Sequence, residues 1–253
     1  MMSKELVDII APALVAGLMV AFVHAPLGVE VIKRGIIFID LAIAQIAGLG
    51  LVTAMVFLHE PSWIMIQVFA LVFALCGGLF FLWVERKVPA QQEAIIGCSF
   101  VLAASLALLL LADHPQGGDE IQHLLSGQIL FVSWHDVVIH GPVYLTILAF
   151  WFLIPAVRSG LGFYTLFAIA ITSSVQIVGV YVVFASLILP ALAALKAKKV
   201  YRVAWLFGGL SVVSGLCIST WIDKPAGPLL VVTYTIICLA GFFWSTKKHT
   251  IIA

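Results

Sequence analysis

Ala25–Gln45, with the sequence APLGVEVIKRGIIFIDLAIAQ, brings four ionisable residues into a chain that is apolar along nearly its whole length. These residues are Glu30, Lys33, Arg34 and Asp40. A charged residue at membrane depth costs roughly 2.5–3.5 kcal/mol on insertion scales, so such residues usually pair or line a polar path. The cluster therefore predicts a membrane protein that moves a polar solute rather than one that only anchors itself.

The composition on either side of this segment excludes a soluble domain. The 253 residues are 63% hydrophobic and 10% charged, with a mean hydropathy of +1.19, whereas soluble chains carry about 25% charged residues. Apolar runs recur, most of them close to the roughly 20 residues that cross a bilayer as helix: Leu6–Val23, Ile36–Leu58, Trp63–Val84, Ala94–Ala112, Val137–Ile154, Phe163–Ala194, Val203–Ile222 and Leu229–Trp244. We interpret the first run as a transmembrane helix rather than a cleaved signal peptide.

The run Phe163–Ala194 is too long for one span, and we expect it to break near Gly179. The sequence therefore predicts an all-α, polytopic membrane protein with eight or nine transmembrane segments. We expect residues 1–253 to form a single transmembrane domain.

Orientation follows from the loops, because cytoplasmic loops are enriched in Lys and Arg. The cationic segments predicted to be cytoplasmic are Lys33–Arg34, Glu85–Lys87, Arg158, Lys196–Arg202 and Lys247–Lys248. The segments predicted to be external are His59–Glu60, Asp113–Asp136 and Asp223–Lys224. These positions alternate consistently if Gly179–Ala194 returns through the membrane as a short span.

Several function classes find no support in the sequence. No glycine-rich phosphate loop, H-E-x-x-H pair or G-x-S-x-G elbow is present, so neither an ATPase nor a hydrolase is predicted. The cytoplasmic loops are too short for a nucleotide-binding domain, and any energy from ATP must come from another polypeptide. A net charge of +1 without a basic stripe gives no reason to expect a nucleic-acid partner.

Asp40, Glu30 and Gln45 are the candidate residues of a transport pathway. Glu30 shares a helical face with Lys33 and Arg34, so an intrahelical ion pair is its alternative role. Asp40 has no cation three or four residues away, and it either stabilises a helix start or lines the pathway. Gln45 lies about 140° around an ideal helix from Asp40, so the two do not chelate from one face.

The longest polar interruption is the external segment Asp113–Asp136. Within it Asp119 and His123 are four residues apart, which places them on one face of a possible short helix. They predict a metal-attracting vestibule or a dock for an external binding protein. The alternative is an ordinary interfacial helix whose polar residues face water.

Three stretches carry a resemblance to a known family. They are PLGVEVIKRGIIFID at Pro26–Asp40, HLLSGQILFVS at His123–Ser133 and VGVYVVFASLILPALAA at Val178–Ala194, and WIDKPAGPLLVV at Trp221–Val232 matches weakly. In this order they resemble the permease subunits of the zinc/manganese/iron family of bacterial ABC importers. The chain departs from that family at Ala44, where a histidine usually follows the aspartate by four residues.

A second departure concerns the cytoplasmic segment Pro155–Phe163, PAVRSGLGF, which is shorter than in the family and lacks its acidic start. Ala156, Arg158 and Gly160 remain of the usual pattern. The resemblance implies that this segment couples the chain to its ATPase, with Arg158 and Gly160 as the contact.

The resemblance implies a multi-pass permease in the bacterial inner membrane that imports a divalent metal ion: zinc, manganese or iron. It implies a second copy of the chain, cytoplasmic ATPase subunits that hold the ATP, and a periplasmic or lipoprotein metal-binding protein. Asp40 is then the candidate metal-contacting residue, and no covalently bound cofactor is expected. The alternative is a membrane scaffold or signalling protein that descends from such a permease without coupling to ATP, for which the short Pro155–Phe163 segment is the main argument.

Overall fold

A computed structural model describes the backbone of residues 4–112, 127 and 129–250, and the side chains of residues 10–112, 127 and 129–243. The helices are α1 (Lys4–Arg34), α2 (Ile39–Phe57), α3 (Trp63–Lys87), α4 (Gln92–Leu111), α5 (Trp134–Leu153), α6 (Gly160–Ala194), α7 (Val200–Ile222) and α8 (Ala226–Thr250). Short 3₁₀ turns occupy Pro89–Gln91, Ile129–Phe131 and Pro155–Arg158. The predicted all-α fold is confirmed.

The helices form in the apolar runs, where the backbone N–H and C=O groups have no other hydrogen-bond partners than each other. Without water in the hydrocarbon layer, each N–H and C=O group must bond within its own segment, which selects helices. All eight helices contain a stretch long and apolar enough to cross a membrane. Large apolar side chains such as Leu109 and Leu145, 71% and 69% exposed, lie on helix surfaces suited to lipid.

The helix ends coincide with the polar or flexible residues between the apolar runs. Gly35 follows α1 with φ +70°, a conformation in which glycine commonly terminates helices. The Ser62 hydroxyl accepts a hydrogen bond from Met65 N at 3.4 Å before α3, as an N-cap does. Asp223 closes α7 in the left-handed conformation.

Helix α6 departs from helical geometry at Gly179, where φ is 77° and ψ is 163°. Residues with a Cβ are essentially excluded from this conformation, so glycine is required there. An unbroken helix of 35 residues would be about 52 Å long at 1.5 Å per residue, well beyond the roughly 30 Å hydrocarbon core. The predicted break near Gly179 is confirmed.

The described residues form two compact units, and α5 and α6 each contribute to both. The first unit contains α1, α5 as far as Thr146, α6 from Ile177, α7 and α8. The second contains α2, α3, α4, α5 from Ile147 and α6 as far as Gln176. In the first unit α7 packs on α1 and α8, and in the second α2 packs on α3 and α4.

Close backbone contacts at glycines hold the first unit together. A Cβ at Gly28 of α1 would overlap the carbonyl oxygen of Leu187 in α6. A Cβ at Gly127, which has φ +65°, would overlap the carbonyl of Val178 next to Gly179. Two of the stretches that carry the family resemblance, His123–Ser133 and Val178–Ala194, therefore meet at backbone distance.

We expect Gly28→Ala to lower the free energy of unfolding by roughly 1–3 kcal/mol, because the added methyl group forces α1 away from α6. The measurement is reversible unfolding of the purified protein in mixed micelles. Gly97→Ala is the matched control, since a Cβ at Gly97 meets no atom within 4 Å, and alanine is favoured over glycine within a helix by roughly 0.5–1 kcal/mol. Equal effects of the two substitutions would contradict the packing role of Gly28.

Candidate functional site

Asp40 lies in the first turn of α2 and is completely buried. Its carboxylate lies near the backbone N–H groups of Asp40 and Leu41, but neither oxygen reaches a full hydrogen-bond geometry with any described residue. A buried carboxylate without full hydrogen bonds is costly. Asp40 is therefore not explained by the stability of the fold.

Glu93, in the first turn of α4, approaches the same helix start. Its Oε1 accepts a hydrogen bond from the backbone N–H of Phe38 at 3.2 Å, and Phe38 itself supplies no side-chain cap for α2. Glu93 thus performs the helix-stabilising role that was one alternative for Asp40, because it satisfies an N–H group that α2 leaves unpaired.

The two carboxylates make this place chemically distinctive. They lie near enough for their charges to repel each other, and Oε2 of Glu93 is also buried without a partner among the described residues. Three buried carboxylate oxygens thus lack full hydrogen bonds at the adjoining ends of α2 and α4. Such oxygens attract a hard or borderline divalent cation.

The arrangement does not form a closed metal cage. Among the described residues, no group of three or more His, Cys, Asp or Glu side chains is placed to hold a metal ion. Ala44, which stands where the related permeases usually carry histidine, is buried in α2. Two carboxylates without a third ligand suit a transient stop better than a permanent site.

The structure also describes the other two pathway candidates, Glu30 and Gln45. Arg34 Nε donates to Glu30 Oε1 at 3.1 Å, which forms the intrahelical ion pair weighed for Glu30. Gln45 is half-buried on α2. The vestibule candidates Asp119 and His123 lie outside the described residues.

The segment between α5 and α6 is a single 3₁₀ turn that folds back on α5. Arg158 Nε donates to the carbonyl oxygen of Trp151 at 2.8 Å, which satisfies a C-terminal carbonyl of α5. Gly160 follows with φ +53°. The apolar residues Leu153 and Ile154, at the end of α5, remain 78% and 40% exposed, so the turn presents an apolar surface beside the Arg158 guanidinium.

Glu93 is a candidate site residue that the sequence analysis does not single out. The apolar run Ala94–Ala112 begins one residue after it, which places Glu93 in a predicted loop. The available signal was its position in the first turn of a helix, where an acidic residue is favoured. Its contact with Phe38 joins residues 55 apart in sequence, so no local sequence pattern predicts it.

Comparison with known proteins gives a consistent result. The sequence model of the ABC 3 transport family matches residues 6–159 and 153–245. The chain is 24% identical over 259 residues to the high-affinity zinc uptake system membrane protein ZnuB of Haemophilus influenzae, covering 93% of this chain and 97% of that protein. It is 24% identical over 259 residues to the manganese transport system membrane protein MntC of Halalkalibacterium halodurans, covering 93% and 87%.

The fold is also similar to a solved structure, PsaBC from Streptococcus pneumoniae in complex with Fab. The TM-score is 0.72 at 22% sequence identity, with 92% of this chain and 91% of that chain covered. At this identity the comparison establishes the shared fold.

We expect Glu93→Gln to raise the free energy of unfolding by roughly 1 kcal/mol or more, because glutamine keeps the acceptor for Phe38 N–H and removes the charge beside Asp40. Two like charges repel by on the order of 1 kcal/mol or more where water screens them incompletely. Glu93→Ala removes both the charge and the acceptor, so it should be about 1 kcal/mol less stable than Glu93→Gln. Unfolding in mixed micelles measures both variants, and a Glu93→Gln variant no more stable than the wild type would contradict the repulsion.

Proposed function

Because this chain belongs to the ABC 3 transport family, we propose that it is the membrane-spanning permease subunit of an ATP-driven importer of divalent metal ions. The family match confirms the resemblance carried by the stretches of the sequence analysis. The chain is a multi-pass protein of the bacterial inner membrane. The observation that carries the proposed substrate is the buried carboxylate of Asp40 next to the half-buried carboxylate of Glu93.

The chemistry of this pair supports a divalent cation as the solute. Two neighbouring carboxylates, one buried and one half-buried, carry up to two negative charges, and a divalent ion neutralises both at once. Few ligands keep binding weak enough for release, as transport requires. Zinc, manganese and iron all remain candidates, because oxygen ligands suit manganese while zinc and iron also accept them; zinc and manganese are the metals in the names of the two relatives above.

Transport then follows an alternating-access cycle between two copies of the chain. An external metal-binding protein delivers the ion, and ATP binding and hydrolysis in cytoplasmic ATPase subunits open the path first to one side and then to the other. We assign Asp40 as the transient ligand and Glu93 as the residue that shares the charge. Gln45 is a weaker candidate along α2, and Glu30 is weaker still because Arg34 already neutralises it.

A direct test of the function co-expresses this chain with a candidate ATPase subunit from the same organism. The two proteins should purify together, and the complex in lipid should hydrolyse ATP faster when the metal-loaded binding protein is added. Stimulation by zinc, manganese and iron, compared one at a time, identifies the substrate. A permease that neither retains the ATPase nor supports metal uptake would contradict the proposal.

The second candidate function is a membrane scaffold that no longer couples to ATP. The observation that favours it is the short connection between α5 and α6, the single turn Pro155–Arg158. In that case the chain would assemble with other membrane proteins, and removing it would leave cellular metal content unchanged. Metal content of a deletion strain therefore separates the two functions.

We expect Asp40→Asn to reduce metal uptake at least tenfold while leaving expression and ATPase assembly intact. Asparagine stabilises a helix start about as well as aspartate, but it removes the charge that attracts the cation. The measurement is uptake of radioactive metal into proteoliposomes. Asp223→Asn, the same change at an exposed left-handed residue that tolerates asparagine, is the control, and near-normal uptake by Asp40→Asn would exclude a pathway role.

We expect Arg158→Lys to insert normally but to retain less ATPase, because lysine cannot donate several directed hydrogen bonds to a partner while it also binds the Trp151 carbonyl. Arg158→Glu should abolish transport. The amount of ATPase on the purified permease and the ATP hydrolysed per metal ion delivered are the two measurements. A shift in the unfolding midpoint of the permease without its partners would show that a substitution acts only on the stability of the fold. Lys224→Glu on the external side is the control for charge reversal.

If both Arg158 variants keep full ATPase retention and normal uptake, the turn at Pro155–Arg158 is not the coupling site. The contact would then have to come from another cytoplasmic loop.

A further inference from the structure

A cavity of about 390 Å³ lies where α1 ends and α7 begins, within the first unit. Its volume lies within the range of small-molecule sites. Four cationic side chains line this basic pocket together with apolar and aromatic groups, and none of its lining residues is acidic. The main lining residues are Lys33, Lys198, Lys199, Arg202, Val29 and Tyr201.

The charges of this basic pocket are available for a ligand. Arg34 pairs with Glu30, so the carboxylate nearest in sequence to Lys33 is already engaged. Helix α7 begins at Val200, and its N-cap residue Lys199 offers no side-chain hydrogen bond to the first turn. The positive end of the dipole of α7 adds to the potential of the four cations, which is a combination that attracts phosphate.

The surroundings of the basic pocket identify the source of the phosphate. The pocket lies at the end of α1 and the start of α7, two helices that are long and apolar enough to cross a membrane, and the ends of such helices are expected at the level of lipid headgroups. An aromatic ledge runs from it along the outer surface. The rings of Tyr201 and Trp205 are 6.4 Å apart, those of Trp205 and Phe22 are 5.6 Å apart, and Trp205 Nε1 donates to the Phe22 carbonyl at 2.9 Å.

Aromatic side chains at this depth are typical of the membrane interface, and Phe22 is 43% exposed. A soluble phosphate compound lacks the apolar chains that would contact these aromatic rings, whereas the acyl chains of a phospholipid can pack along them. Basic pockets between transmembrane helices on the cytoplasmic side bind anionic headgroups. We propose that the basic pocket binds the phosphodiester headgroup of an anionic phospholipid, with the acyl chains lying along Tyr201, Trp205 and Phe22.

The test compares two double variants of the full chain, each of which neutralises two cytoplasmic cations. Lys198→Gln/Lys199→Gln removes charge from the basic pocket. Lys87→Gln/Lys196→Gln removes the same charge from positions that do not line it. Native mass spectrometry counts the phosphatidylglycerol molecules retained by each purified protein, and a titration of the lipid in micelles follows the unfolding midpoint.

The wild-type protein and the Lys87→Gln/Lys196→Gln variant should retain phosphatidylglycerol in preference to phosphatidylcholine and should be stabilised by it. Each basic residue near an anionic headgroup contributes about a fivefold gain in affinity, so the Lys198→Gln/Lys199→Gln variant should bind about 25-fold more weakly. Equal retention of the two lipids, or unchanged retention by that variant, would overturn the proposal.

Two further arms separate the possible sources of the negative charge. Inorganic phosphate at millimolar concentration should not raise the unfolding midpoint, and stabilisation by phosphate alone would assign the pocket to a soluble ligand. The purified ATPase should bind the Lys198→Gln/Lys199→Gln variant as well as the wild type in lipid of fixed composition. Loss of the ATPase without loss of phosphatidylglycerol would assign the pocket to the protein partner instead.

Discussion

Backbone-to-backbone packing at glycine is the contact on which the first unit depends. In lipid, apolar side chains gain little by leaving acyl chains for one another, so close van der Waals contact between helices supplies much of the stabilisation. Gly28 lets α1 reach the carbonyl of Leu187, and Gly127 lets its segment reach the carbonyl of Val178. In the second unit, Gly50 of α2 meets the carbonyl of Phe69 in α3 in the same way. These contacts fix the helix positions that bring polar residues together.

Buried polar side chains with a hydrogen-bond partner are structural, and this distinguishes them from the candidate site. His24 Nδ1 lies 2.7 Å from the Ser186 hydroxyl, and Gln92 Nε2 donates to the Tyr164 hydroxyl at 2.8 Å. Such satisfied buried pairs stabilise and specify a fold. Asp40 is as deeply buried as His24 but has no comparable partner. The stability lost by burying Asp40 is explained if its carboxylate binds a cation transiently during transport.

The helix ends predicted to face the cytoplasm thus carry two opposite chemistries. In the second unit, α2 and α4 begin with carboxylates whose charges are not neutralised by any described cation. In the first unit, the end of α1 and the start of α7 bring cations around a cavity without an acidic lining residue. The first arrangement suits a metal cation and the second an anionic headgroup.

The sequence by itself determined the features that depend on local spacing. The lengths of the apolar runs predicted the helices, because the thickness of the bilayer fixes how many residues a span requires. The excess length of Phe163–Ala194 predicted the break at Gly179, and the four-residue spacing of Glu30 and Arg34 predicted their ion pair. Whether Asp40 stabilised a helix start or faced a pathway was left open, since both roles share the same local sequence.

Only the tertiary structure decided which distant residues meet. It placed Glu93 over the start of α2, directed Arg158 back to the Trp151 carbonyl and joined Lys33 to the cations that follow Ala197 in one pocket. The physical reason is that helical geometry fixes neighbours three and four residues away, whereas contacts between helices depend on how their surfaces pack. Contacts between helices also depend on close approach at glycines and on the crossing angles of the helices. Neither produces a repeating pattern in the sequence, so these contacts cannot be predicted from it.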